Sequence, residues 1–207
     1  MSYQKNESVT ISLERGDIIM AKIEWRAGNM LYPLPVVMVS VTDGAGNDNV
    51  LTIAWAGTTS SDPAMVSISV RPTRHSYEMI KKTGEFVINL TTEDLVYATD
   101  YCGVKSGRDI DKFKKMKLTK EKASHVKAPM IAESPVNIEC RVTKMEDLGV
   151  HHMFLAEVLA IHVDDKYMNE DNKFCLDQAK PIVYSHGEYY GLGKKLGTFG
   201  YSVKKSK

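Results

Sequence analysis

Asn49-Val50-Leu51-Thr52-Ile53-Ala54-Trp55-Ala56-Gly57, then Thr58-Thr59-Ser60-Ser61-Asp62-Pro63 and, one strand later, Arg71-Pro72-Thr73-Arg74-His75-Ser76-Tyr77 is the stretch that decides how this chain of 207 residues is read. Its first segment is a strand that runs into small residues. Its second puts four hydroxyls in front of a turn closed by proline. Its third gathers two arginines and a histidine where a helix begins. Small residues let backbone approach a planar ring, with free N–H groups for its carbonyl edge. Hydroxyls and turn amides cradle phosphate oxygens. A helix start adds unpaired N–H groups and positive dipole, and arginine adds a forked, charge-assisted donor. Singly, these are an ordinary turn and solvated basic residues; in this order they describe a site for a phosphorylated, ring-bearing ligand.

Outward from that stretch, the pattern is one of short strands. Val36–Val41 is a β-branched run ended by Asp43-Gly44-Ala45-Gly46-Asn47, and Val50–Trp55 is its expected hairpin partner. Met65–Val70 alternates as a half-buried strand does. Phe86–Leu90, Val136–Val142 and Met153–Val163 are further strands. Helices are fewer: Thr73–Lys82 with Thr73 as its cap and a stop at Gly84, Thr91–Asp100 behind a box-like Thr91-x-x-Asp94, and Ile110–Met116. No βαβ period and no internal repeat is present, so the expected class is mainly β, an antiparallel barrel with short helices over its ends.

Composition bounds the rest. Hydrophobic residues make up 43% and charged residues 26%, which is the range of a folded globular chain and suits one domain over residues 1–207. A formal net charge of +1 speaks against a broad surface for nucleic acid or anionic lipid, though not against a local basic pocket. No apolar run approaches the ~20 residues of a bilayer span, and Met1–Arg15 lacks the layout of a secretory signal. Cys102, Cys140 and Cys175 are odd in number and widely spaced, as reduced cytoplasmic thiols are. His151 and His152, adjacent on a strand, face opposite ways; with His125, His162 and His186 they show no ligand spacing, so no metal is expected. Gly191-Leu192-Gly193-Lys194-Lys195-Leu196-Gly197 misplaces the third glycine of a dinucleotide fingerprint and follows no strong strand.

The ordered set Asn49-x-x-Thr52-x-Ala54-Trp55-x-Gly57, Ser61-Asp62-Pro63 and Arg71 through Tyr77 resembles the flavin reductase-like domain family, its flavoredoxin branch above all. The likeness continues through Phe86-Val87-Ile88-Asn89, Tyr101-Cys102-Gly103, Ser106 to Phe113, and Gly149-Val150-His151, so that it spans roughly residues 33 to 184. The family often has glycine where Ala56 and Ala156 stand and aspartate where Val150 stands. The resemblance implies an FMN-binding split β-barrel, Greek-key and antiparallel, working as a homodimer. It implies that Asn49, Thr52, Trp55, Ala56, Gly57 and Thr58 line the ring and ribityl chain. Arg71 and Ser76 would meet the phosphate, with His75 and Tyr77 beside it. Lys112 would bring positive charge to the flavin, and His151 would stand near the flavin and a nicotinamide. With no nicotinamide domain, NADH or NADPH would lie directly on the flavin. Three readings stay open at this point: an NAD(P)H-dependent reductase, an electron carrier reduced by a redox protein, and a non-catalytic flavin-binding module.

Overall fold

The computed structural model describes residues 22–203. The polar lead Met1–Arg15 and the basic tail Lys204–Lys207 lie outside the described residues. The chain divides into two compact units, residues 1–31 and 32–207. In the first, the described residues 22–31 form no helix or strand.

The second unit runs β1 (Leu34–Pro35), β2 (Val37–Thr42), β3 (Asp48–Ile53), β4 (Ala56–Ser61), β5 (Ala64–Val70), α1 (His75–Thr83), β6 (Glu85–Leu90), α2 (Val96–Val104), α3 (Lys112–Met116), β7 (Lys120–Glu121), β8 (Met130–Ile131), β9 (Val136–Asp147), β10 (His152–Val163), β11 (Ile182–Ser185) and β12 (Glu188–Gly191). Seven strands form one antiparallel sheet in the order β3-β2-β6-β9-β10-β5-β4. β1, β11 and β12 form a second, smaller sheet.

That strand order forces the sheet to curl. β3 and β4 are its two edges, six inter-strand steps apart, or ~29 Å if the sheet lay flat. Yet Ile53 and Ala56 are joined through Ala54 and Trp55 alone, three Cα steps that reach at most ~11 Å. The edges must therefore come together, and they do so without laddering to each other: the barrel stays split along the β3–β4 seam. Trp55 sits in that seam, its carbonyl accepting the Ser69 N–H of β5 at 2.9 Å.

Alternation along the strands fills the inside. Val37, Val39 and Val41 of β2, Val66, Ile68 and Val70 of β5, and Phe86 and Ile88 of β6 join Tyr77, Met79 and Ile80 of α1 in the main core. The other face of β2 and β3 is covered too: Met38 and Val50 pack against Leu95, Ala98, Cys102 and Phe113 of the helical layer. With both sides covered, all six residues of β2 are buried, Ser40 and Thr42 included.

The expected strands are all present, within a few residues at their ends, except that β9 continues from Val142 to Asp147. The hydroxyl run Thr58–Ser61 stands before a turn at Asp62-Pro63, as expected, and is itself part of the edge strand β4, paired with β5. Three readings at helix starts are corrected. α1 starts at His75 after Arg74, with no side-chain cap from Thr73, and ends where Gly84 takes the left-handed conformation (φ 68°) and donates to the Ile80 carbonyl. The Thr91 hydroxyl donates to the Val36 carbonyl at 2.6 Å instead of capping, so α2 begins only at Val96 behind a short 3-10 turn. Ile110 likewise lies outside α3, whose cap is Asp111, accepting from Lys114 N–H.

Candidate functional site

Four segments meet where the seam opens: β3, the β5–α1 connection, the start of α1, and the α2–α3 connection. Between them lies a cavity of about 190 Å³. Its wall carries Asn49, Leu51 and Thr52 from β3 and Arg71, Thr73 and Arg74 from the connection. His75 and Ser76 come from α1, and Cys102, Gly103, Lys105, Ser106, Gly107, Arg108 and Lys112 from the α2–α3 side. Five of these described residues are Lys or Arg and none is Asp or Glu.

The back of the cavity is tightly ordered. Asn49 is buried and its Nδ2 donates to the Ser76 hydroxyl at 2.8 Å, itself 1% exposed. As the first two residues of α1, His75 and Ser76 have N–H groups without an intrahelical acceptor. Gly107 lies so close to Asn49 that a Cβ there would fall 2.2 Å from Oδ1, and a Cβ on Gly103 would meet Thr52 at 3.2 Å. Two glycines thus let the α2–α3 connection close down on β3. Arg108 Nη1 ties that connection to the Thr73 carbonyl at 3.1 Å. The Thr52 hydroxyl donates to the Thr99 carbonyl of α2.

Lys112 is 4% exposed, and its ammonium donates to the carbonyls of Val50 and Cys102, each at 2.8 Å, leaving one of three N–H groups. Burial and, secondarily, Arg74 pull its pKa down to about 8, against the pull of Cys102. His75 is lowered by burial, then by Arg108 and Lys112, with Asp43 opposing. Burial pushes the Cys102 thiol up to about 11, so it is a protonated, inert group at neutral pH. Burial leads in all three cases; beneath it, positive neighbours act on Lys112 (Arg74), His75 (Arg108 and Lys112) and Cys102 (Lys112), a setting that favours an anion over a further cation.

A second cluster stands beyond Arg71. His151, in the turn between β9 and β10, lies parallel to Trp55 with ring centroids 6.0 Å apart and planes 9° from each other. Arg71 Nε donates to His151 Nε2 at 3.4 Å. Arginine only donates, so Nε2 is the acceptor in this contact. Burial, Arg71 and Arg74 all lower its pKa, in that order. Tyr184 of β11 leans on Trp55 at 6.4 Å. Trp55 is 39% exposed, and Gly57 and Thr58 of β4 are exposed beside it.

Of the residues singled out in the sequence, Asn49, Thr52, Arg71, His75, Ser76 and Lys112 line the cavity. Trp55 and His151 form the aromatic cluster, with Ala56, Gly57 and Thr58 following Trp55 along β4. Tyr77 does neither: its ring is in the core and its hydroxyl meets His152 Nδ1 at 2.7 Å. Arg74, Lys105, Ser106, Gly107 and Arg108 line the cavity without having been assigned a role from sequence. The signal was the Ser106-Gly107-Arg108 segment, whose closeness to Asn49 only the folded chain reveals.

The sequence profile of the flavin reductase like domain matches residues 29–193. A protein of Archaeoglobus fulgidus is 32% identical over 168 residues, covering 81% of this chain and 89% of that protein. Among solved structures, the flavoredoxin of Desulfovibrio vulgaris (Miyazaki F) superposes with a TM-score of 0.83 at 28% identity, covering 89% of this chain and 100% of that one. The flavoredoxin of Methanosarcina acetivorans gives 0.80 at 25% identity, with the same coverage. The fold is that of the split-barrel flavin reductases.

Proposed function

This chain belongs to the flavin reductase like domain family, and from that premise we propose that it is an FMN-dependent oxidoreductase whose flavin is reduced by NADH or NADPH. The observation that carries the reading is the carboxylate-free, arginine-rich cavity at the seam, with the Trp55–His151 pair reached through Arg71. The residues suit FMN. A phosphate needs several donors and positive charge, and Ser76, the α1 N-terminus, Arg71, Arg74 and Arg108 supply them. The cradle at Gly103 and Gly107, which a Cβ would fill, leaves backbone free to follow a ribityl chain along Asn49 and Thr52.

Bound FMN supplies hydride and electron chemistry that no side chain here possesses. Ser76, Asn49 and the arginines anchor and orient it. Ala56, Gly57 and Thr58 keep side-chain bulk off the ring. Lys112 holds a positive charge, or a proton, at the buried wall. His151, beside Trp55 and Arg71, is the residue assigned to the nicotinamide side of the ring. The described residues contain no helix long and apolar enough to cross a membrane, and the unpaired thiols suit the cytoplasm. The exposed Trp55 at an edge strand leaves the ring in need of cover, which a second copy in a homodimer provides.

An electron-carrier role is the second reading. It is favoured by the likeness to two flavoredoxins and by nine Lys or Arg against three Asp or Glu from Lys105 to Lys127, a face suited to an acidic redox protein. One experiment separates them. The purified protein, supplied with FMN, is mixed with NADH or NADPH without oxygen. Rapid bleaching supports the reductase. An inert yellow protein, bleached by a reduced ferredoxin, supports the carrier. A colourless protein that takes up no FMN overturns both.

A further inference from the structure

Tyr77 follows Ser76 on α1 yet points away from the cavity. Its buried hydroxyl lies 2.7 Å from His152 Nδ1 and 3.6 Å from Met145 Sδ. His152 Nε2 lies 3.4 Å from Asp147 Oδ1, the oxygen that also accepts the Gly149 N–H at 2.7 Å. Leu148 N–H closes the turn on the His151 carbonyl at 3.0 Å. The β9–β10 turn is therefore tied, through Asp147 and His152, to one tyrosine of the helix whose preceding residue forms the back of the anion cavity. That turn presents His151 to Trp55 and Arg71.

We propose that Tyr77 is a positioning residue: it registers the β9–β10 turn against α1, so that His151 is held over Trp55 in step with the anchored end of the ligand. Its ring packs against Phe154 and the rest of the core, meets the His152 ring edge-on and lies under the Lys81 ammonium. The hydroxyl adds the hydrogen bond to His152. The inference rests on the flavin reading for its catalytic consequence, but the positioning itself is a property of the polypeptide alone.

The test uses Tyr77→Phe, which keeps the ring and removes the hydroxyl. In a Trp25→Phe background, where Trp55 is the remaining tryptophan, the variant shifts Trp55 emission without any cofactor. In a His151→Ala background that shift disappears. An unchanged emission, or a shift of equal size without His151, overturns the proposal. With FMN bound, Tyr77→Phe leaves the FMN Kd within about twofold and lowers the rate of flavin reduction by about tenfold, since small misplacements near reacting atoms are costly. In His151→Ala that loss shrinks to under about twofold, because residues acting as a unit are not additive. A loss that persists without His151, or an affinity that falls with the rate, marks Tyr77 as merely structural and refutes positioning. Failure of the wild type to take up FMN sinks the flavin reading, while the emission measurement still decides the role of Tyr77.

Discussion

The two ends of the site are built differently. At the cavity, Asn49, Ser76 and Lys112 are all buried, hydrogen-bonded and walled by glycines in close contact. At the Trp55–His151 end, a half-open aromatic pair joins the β3–β4 link to the β9–β10 turn, with one long hydrogen bond from Arg71 to His151. A buried polar wall is rigid because an unmade hydrogen bond there costs ~1–3 kcal/mol. An open ring face costs little to rearrange and leaves room for a second molecule. Affinity is thus expected at the cavity, and turnover at the aromatic end.

Breaking the cavity should have the largest effect on affinity. Arg71→Ala combined with Ser76→Ala removes charged and neutral phosphate donors and should weaken FMN binding about a hundredfold or more. An unaltered Kd by fluorescence titration means the phosphate lies elsewhere. Next comes Gly107→Ala. Its Cβ would be driven into Asn49, and overpacking of ~1–3 kcal/mol predicts roughly ten- to hundredfold weaker binding. Tight binding retained by this variant would show that the α2–α3 connection does not form the wall.

A smaller effect is set by pH. With Lys112 at about 8 in the free protein, phosphate binding raises its pKa and binding takes up a proton above that value. The FMN Kd should therefore climb above pH 8, by at most about tenfold per unit, and Lys112→Met should flatten the rise. The same depressed pKa has the opposite sign for folding. Between about 8 and 10.5 the unfolded chain binds the extra proton, so this group makes the apoprotein more stable as pH rises through that window. Equal slopes in wild type and variant would discharge Lys112 from both roles. Least affected should be His151→Ala, with FMN affinity within about twofold while flavin reduction by NADH slows. A large loss of FMN binding there would erase the division between the two ends.

Much of this was legible beforehand, and the residues say why. Val37 to Val41, Val66 to Val70 and Phe86 to Ile88 alternate or run apolar, and such periodicity reports local burial directly. Arg71 and Ser76 stood out as donors near a helix start, and Asn49 through the resemblance to the family. The hydroxyl run Thr58–Ser61 does precede its turn, but as an edge strand it lies outside the cavity, a placement that only the folded chain decides. Tyr77 misled because a helix turns about 100° per residue, so the neighbour of Ser76 faces the core. Gly107 and Arg108 carried no role by themselves; a glycine acquires one only from what approaches it.

By itself the sequence determined the strands, their faces, a globular composition and the basic, hydroxyl-bearing cluster near Arg71–Ser76, since each depends on neighbours within a few residues. The tertiary structure alone decided three things. It joined the outer strands of the sheet at the Trp55 seam, set Lys112 and Gly107 against β3, and brought His151 across to Trp55 and Arg71. The last two join positions tens of residues apart, beyond the reach of local pattern, and the first follows from a two-residue link that compels the sheet to curl until its edges meet.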